Sequence, residues 1–306
     1  MTEQILRIWP DGRAQEFSEA LSDALRGAEE LGDFIAAANY ACSGGKQIRP
    51  ALLWAVAQAY NLDFAELLPF MIALELIHNY SLVHDDLPAM DNDDLRHGKP
   101  SCHRQFGEAK AILLGDYLLN RAYEILIRAI DSPAKKDAAG RIAKAAGGFG
   151  MIAGQLKDLA AELETKAELT SLEKLNYLSE LEAIQELKTG ALIEAAVLVP
   201  LDLALAPAQD YSLWQAYAAN LGRAYQIKDD ILDFTASEAD LGKSLGKDER
   251  DEKLTASRIM GLKGAEQHYA QLCRCISEKL AELSALPGLN LSALKILSDF
   301  ILEREF

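Results

Sequence analysis

The sequence predicts an all-α protein, read as one helical domain over residues 1–306. Three observations lead there. Ala, Leu and Glu are abundant, and no segment sustains the alternation of β-branched residues that a strand needs. Apolar residues recur with helical spacing along most of the chain, and no Ser/Pro/Gly linker or low-complexity tract divides it. Half of the 306 residues are hydrophobic, enough to bury one large core.

The elements follow in order. Residues 14–42 read as an amphipathic helix, and SGGKQIR at 43–49 as a glycine turn. A new helix begins there with Pro50 in its first turn and continues through ALLWAVAQAY. Residues 66–87 form a largely apolar helix that ends in aspartates. Further helices are expected at 106–130, 136–162 (loosened by Gly147, Gly148, Gly150 and Gly154), 171–199 and 209–235. Residues 236–253 read as a charged loop. The remainder is helical, with a break at Pro287–Gly288.

The net charge of −16 disfavours nucleic acid and anionic lipid as partners. An anionic substrate would then need metal ions or a local basic patch. Cys42, Cys102, Cys273 and Cys275 form no C-x-x-C pair, and their scatter fits a reducing cytoplasm. The N-terminal residues lack the basic-then-apolar pattern of a signal peptide. The run ALIEAAVLVPLDLALAP is interrupted by Glu194, Pro200 and Asp202, so no membrane span is expected there.

The chemistry concentrates in HDDLPAMDNDDLRHGK, residues 84–99, where Asp85, Asp86, Asp91, Asp93 and Asp94 lie within ten residues. Two carboxylates about 4 Å apart repel by about 4 kcal/mol at an effective dielectric of 20. Such a cluster is either splayed into water or built around a cation. Asp85 and Asp91 lie on different faces of a straight helix, but Pro88 disfavours helix at Leu87 and lets the chain swing Asp91 back. A second acidic helix end occurs in YQIKDDILDF at 225–234, where Asp229 and Asp233 share a face one turn apart. Carboxylates without Cys or coordinating His suit Mg²⁺, which takes one or two of them plus waters and phosphate oxygens. Two clusters therefore suggest a polyphosphate bridged by several ions. A calcium loop counted from Asp91 would place Leu95 where a ligand is required. A phosphohydrolase built on His84–Asp85 would need more than His78 and His103 as further ligands.

The chain resembles the trans-prenyltransferases, or polyprenyl synthetases, and most closely their bacterial farnesyl-diphosphate-forming members. The resemblance runs from about residue 40 onward. It rests on GGKQIRP (44–50), HNYSLVHDDLPAMDNDDLRHGKPSCH (78–103), GQLKDLAAE (154–162), KTGALI (188–193), YQIKDDILD (225–233) and GKSLGKDERDEK (242–253), in the family's order. It implies the isoprenoid synthase fold, a helical bundle around a central cavity, and a homodimer. The implied reaction ionises an allylic diphosphate and joins it to isopentenyl diphosphate. Three Mg²⁺ ions would be held by Asp85, Asp86, Asp91, Asp229, Asp230 and Asp233. Lys188, Thr189, Gln226 and Lys243 are the implied catalytic residues. Arg96, Lys188 and Lys243 would contact the leaving diphosphate, and Lys253 lies in the loop expected to close over it. Gly45, Lys46, Arg49 and His78 would receive isopentenyl diphosphate. Tyr80, with Ser81 beside it, would floor the product channel.

One position departs from the pattern. Where the family carries a second arginine after Arg96, this chain has His97, which lacks the guanidinium fork and implies a weakened or pH-sensitive isopentenyl diphosphate site. Three other readings share these motifs: a geranylgeranyl or longer-chain synthase, against which Tyr80 argues; a class I terpene cyclase, against which the second aspartate motif argues; and a non-catalytic partner subunit, which would typically have lost one of the two motifs.

Overall fold

The structure, a computed structural model, describes residues 9, 11–26, 32–161, 170–235 and 254–304. Its helices are α1 (Ala14–Ala24), α2 (Gly32–Ala41), α3 (Ile48–Ala59), α4 (Phe64–Asp85), α5 (Cys102–Phe106), α6 (Glu108–Ala129), α7 (Pro133–Ala146), α8 (Met151–Ala160) and α9 (Ser171–Gln185). A π-helical turn at Glu186–Gly190 leads directly into α10 (Ala191–Leu203). Then come α11 (Ala208–Thr235), α12 (Ala256–Met260), α13 (Leu262–Ser284) and α14 (Ser292–Glu303). The strands among the described residues are β1 (Leu95–Arg96) and β2 (Lys99–Pro100), paired as an antiparallel hairpin.

Helix α4 is the axis of the bundle. Asp63 caps it by accepting from the Ala65 amide at 3.1 Å, which starts it two residues earlier than the sequence suggested. Its apolar residues are distributed all round, and Leu67, Phe70, Met71, Ala73, Leu74, Leu76 and Ile77 are completely buried. Each such Leu, Ile, Phe or Met contributes about 1.5–3 kcal/mol through burial. Although long and apolar enough to cross a membrane by composition, α4 spends that surface on packing against α1, α3, α6, α7 and α10. It ends at Asp85, three residues before Pro88, and the chain turns back there.

Two expected helices are each divided. The 14–42 segment forms α1 and α2. The 136–162 segment is broken between α7 and α8 at Gly147–Gly150, where a Cβ on Gly150 would lie 2.0 Å from the Ala145 carbonyl oxygen. The break at Pro287–Gly288 falls between α13 and α14 as expected, with Gly288 at φ 81°. The charged loop expected at 236–253 lies outside the described residues.

Helix α8 crosses the π turn at Gly154, where a Cβ would stand 2.2 Å from the Lys188 backbone nitrogen. Only a bare Cα allows this approach. Gly154→Ala therefore forces the two segments apart, at a cost of about 1–3 kcal/mol for overpacking. Thermal unfolding should show a lowered Tm, and an unchanged Tm would mean that the crossing relaxes freely.

Candidate active site

The acidic ends of α4 and α11 face one cavity. Its mouth, about 250 Å³, is lined by Asp85, Asp91, Asp93, Arg96, Asp158, Lys188, Thr189, Gln226, Asp230 and Asp233. An adjoining, larger compartment of about 710 Å³ shares Asp85, Arg96, Lys188, Thr189 and Gln226 with it. It adds Arg49, His78, His97, Tyr225 and Asp229 on one side, and Tyr80, Ser81, His84, Leu119, Met151, Ile152, Leu156 and Leu159 on the other. A polar, charged entrance thus opens onto an apolar pocket.

Termination of α4 brings the first cluster together. The Asp91 amide donates to the Asp85 carbonyl at 2.8 Å and the Asp93 amide to the Asp86 carbonyl at 3.2 Å, folding the turn back against the helix end. Burial pushes the Asp85 carboxyl up to about 6; Lys188 and Arg96 oppose the shift, while Asp91 and Asp86 add to it. Asp86 points elsewhere. It is buried and lines neither part of the cavity, and its carboxylate accepts from Arg96 Nε at 3.0 Å and from the Nη2 group. Consecutive residues at a helix end differ by about 100° in direction, which here turns Asp86 away from the space that Asp85 faces. Asp86 anchors Arg96, which also lies 3.6 Å from Asp93.

The second cluster is arranged differently, with all three carboxylates on the cavity. Asp233 and Asp230 line the smaller compartment and Asp229 the larger one. Asp230 is buried and one of its oxygens accepts from the Ala256 amide at 2.9 Å, tying α11 to the start of α12. Asp229 pairs with Arg304 at 2.9 Å. The Arg304 guanidinium also lies 3.7 Å from the centre of the Tyr225 ring and donates to the Tyr225 carbonyl.

The π turn supplies the remaining polar groups. Widening the helix there projects Lys188 and Thr189 into the cavity. Lys188 Nζ donates to Asp158 on α8 at 2.5 Å. Thr189 Oγ1 donates to Gln226 Oε1 at 2.9 Å, and Gln226 Nε2 lies 3.4 Å from Asp230. With its hydrogen committed, Thr189 offers the cavity only oxygen lone pairs.

The basic side is less uniform. Lys46 and Arg49 flank the start of α3, and burial lowers the pKa of both. Gly45 borders a separate shallow cavity together with Ser43 and Gln47. Burial, then Arg49, His97 and Arg96, lower the pKa of His78 well below the usual imidazole range. Desolvation, then Arg96, Lys46 and Lys99, push His97 down to about 4. A ring so lowered stays neutral above about pH 4, which argues against the pH-sensitive part of the sequence expectation. Lys243 and Lys253, expected on the diphosphate side, lie outside the described residues. Sequence reasoning missed Asp158 and Arg304. Asp158 stands inside the quoted GQLKDLAAE motif, which was a usable signal, whereas Arg304 carried none.

The donor set fits Mg²⁺. All donors are hard carboxylate oxygens, and among the described residues no three of them converge on one point. Each helix end can thus supply one or two ligands, the number this ion takes when water and phosphate complete its shell.

The chain belongs to the polyprenyl synthetase family, whose model matches residues 33–287. It is 43% identical to the farnesyl diphosphate synthase of Geobacillus stearothermophilus over 232 residues, 74% of this chain and 75% of that one. It is 35% identical to the chloroplastic geranylgeranyl pyrophosphate synthase of Catharanthus roseus over 286 residues, 92% and 78% of the two chains. The structure matches that of the geranyltransferase from Helicobacter pylori complexed with magnesium and isoprenyl diphosphate, with a TM-score of 0.81, 25% identity and 99% coverage of both chains.

The histidine assignment can be tested without a substrate. NMR titration of His97 should show a neutral ring from pH 8 to 5 that protonates at about 4. A midpoint near the unperturbed value of about 6.5 would contradict it.

Proposed function

We propose that this prenyltransferase condenses isopentenyl diphosphate with dimethylallyl and geranyl diphosphate to give farnesyl diphosphate. The observation that carries the reading is the single cavity with carboxylates from two helix ends at its mouth and an apolar pocket beyond. The allylic diphosphate belongs at the mouth, where Lys188 and Arg96 offer charge-assisted contacts to its oxygens. Mg²⁺, held by Asp85, Asp91, Asp229 and Asp233, supplies Lewis acidity to the leaving diphosphate. Lys188, kept in place by Asp158, and Arg96, kept in place by Asp86, add fixed positive charge where negative charge develops.

Breaking the allylic C–O bond leaves a carbocation. The isopentenyl double bond attacks it, a new C–C bond forms, and a proton passes from the adjacent carbon to an oxygen of the released diphosphate. The lone pairs of Thr189 and the carbonyl oxygen of Gln226 border that carbon and stabilise the positive charge. Isopentenyl diphosphate binds through Lys46, Arg49 and the Gly44–Gly45 turn, with His78 nearby. Lys243 and Lys253 complete the diphosphate side in this proposal.

The hydrocarbon tail extends toward Tyr80, whose ring lies 5.9 Å from His84 in an edge-on arrangement. His84 Nε2 lies 3.0 Å from the Ile112 carbonyl, and a Cβ at Gly115 on α6 would stand 2.0 Å from that nitrogen. The wall beside Tyr80 is therefore tightly fitted. Exposed Ile112 and Leu113 on α6 support a homodimer that covers them. Four unpaired cysteines support action in the cytoplasm.

Incubation with Mg²⁺, isopentenyl diphosphate and geranyl diphosphate should yield a C15 product by mass spectrometry, abolished by EDTA. A dominant C20 or longer product would move the chain into the geranylgeranyl class, and no coupling would reject the reading. Tyr80→Ala should shift the products to C20 and beyond; an unchanged distribution would place the floor elsewhere. His97→Arg should lower KM for isopentenyl diphosphate by a few-fold, and an unchanged KM would mean the missing guanidinium is not needed.

A further inference from the structure

The RHGK segment, residues 96–99, is a two-residue hairpin. His97 and Gly98 occupy its loop with φ values of 52° and 73°, the left-handed pair that suits the twist of a tight hairpin. The loop sets Arg96 and Lys99 directly opposite each other. Like charges in that relation are destabilising unless something offsets them. Arg96 is offset by Asp86 and Asp93. Lys99 is not: among the described residues it forms no ion pair, donating only to Ser43 Oγ at 3.2 Å and lying 5.7 Å from the centre of the Tyr40 ring.

The position of that ammonium is informative. Lys99 Nζ lies 3.8 Å from where a Cβ on Gly44 would be, and His97 Cβ lies 3.8 Å from the same point. His97 Nε2 is 3.8 Å from the corresponding point on Gly45. Lys99 and the uncharged His97 therefore overlie the same glycine turn, the one that leads into Lys46 and Arg49. Glu75 stands behind the turn, and burial raises its pKa against the opposing effects of Arg49 and the Asn79 hydrogen bond.

We propose that Lys99 supplies the diphosphate-binding cation absent at position 97, so that isopentenyl diphosphate is gripped by Lys46, Arg49 and Lys99. The proposal rests on the prenyltransferase reading given above. Lys99 stands on the second strand of the hairpin, within reach of the same turn. Lysine suits this place because its flexible stem lets a compact charge reach the phosphate without the planar fork of arginine.

Calorimetric titration of the full-length protein with isopentenyl diphosphate tests this independently of turnover. Lys99→Gln should raise the Kd about tenfold, the worth of one charge-assisted contact. Lys99→Arg should hold it within about twofold, and adding His97→Arg to Lys99→Gln should restore most of the lost affinity. Titration of geranyl diphosphate with Mg²⁺ should be unaffected by Lys99→Gln. A Kd for isopentenyl diphosphate that is unchanged in Lys99→Gln overturns the proposal, as does an equal loss for both ligands. Lys99-dependent binding in a protein that couples nothing would overturn the enzymatic reading and leave this one standing. Absence of isopentenyl diphosphate binding in the parent protein would overturn both.

Discussion

The carboxylates at the ends of α4 and α11 repel one another, and much of the local architecture supplies the cations that let them coexist. Arg96 returns on a hairpin to Asp86 and Asp93, and Arg304 comes from beyond α14 to Asp229. Lys188, which opposes the upward shift of Asp85, is itself steadied by Asp158. Each pairing leaves some carboxylates open to the cavity and commits others to protein. The two Asp–Asp pairs differ: in the first only Asp85 lines the cavity while Asp86 is committed to Arg96, whereas in the second both Asp229 and Asp230 line it.

Much of this was legible in the sequence, for physical reasons that can be assigned residue by residue. The spacing of Asp229 and Asp233, the break at Pro88 and the apolar continuity of 66–87 are local facts, and local facts survive folding. The return of Asp91 to Asp85 needed only the knowledge that the helix must stop. The division of 14–42 into two helices was not legible, because apolar residues continue through the segment without a proline. The break before α8 was half legible: glycines marked it, but only the contact between Gly150 and the Ala145 carbonyl explains why the helix cannot continue.

The site divides along the same line. Asp85, Lys188, Thr189 and Gln226 were found because motifs announce them. The job of Asp86 as an anchor for Arg96, the steadying of Lys188 by Asp158, and the reach of Arg304 to Asp229 are tertiary facts between segments distant in the chain. The lowered pKa of His97 was not legible, because composition cannot show that the ring would be desolvated and flanked by Arg96, Lys46 and Lys99.

The π turn at Glu186–Gly190 has a consequence for how this segment can change in length. It is one residue wider than an α-helical turn, inserted into an otherwise continuous helix from Ser171 to Leu203. Losing a single residue there would restore an ordinary ladder with little rotation of the flanking helices, because the wide turn already absorbs the extra residue. The face of α9 would keep its neighbours, while the lysine and threonine would lose their aim. A one-residue deletion is thus absorbed within the helix itself, and what it removes is the projection of two side chains into the cavity rather than the fold.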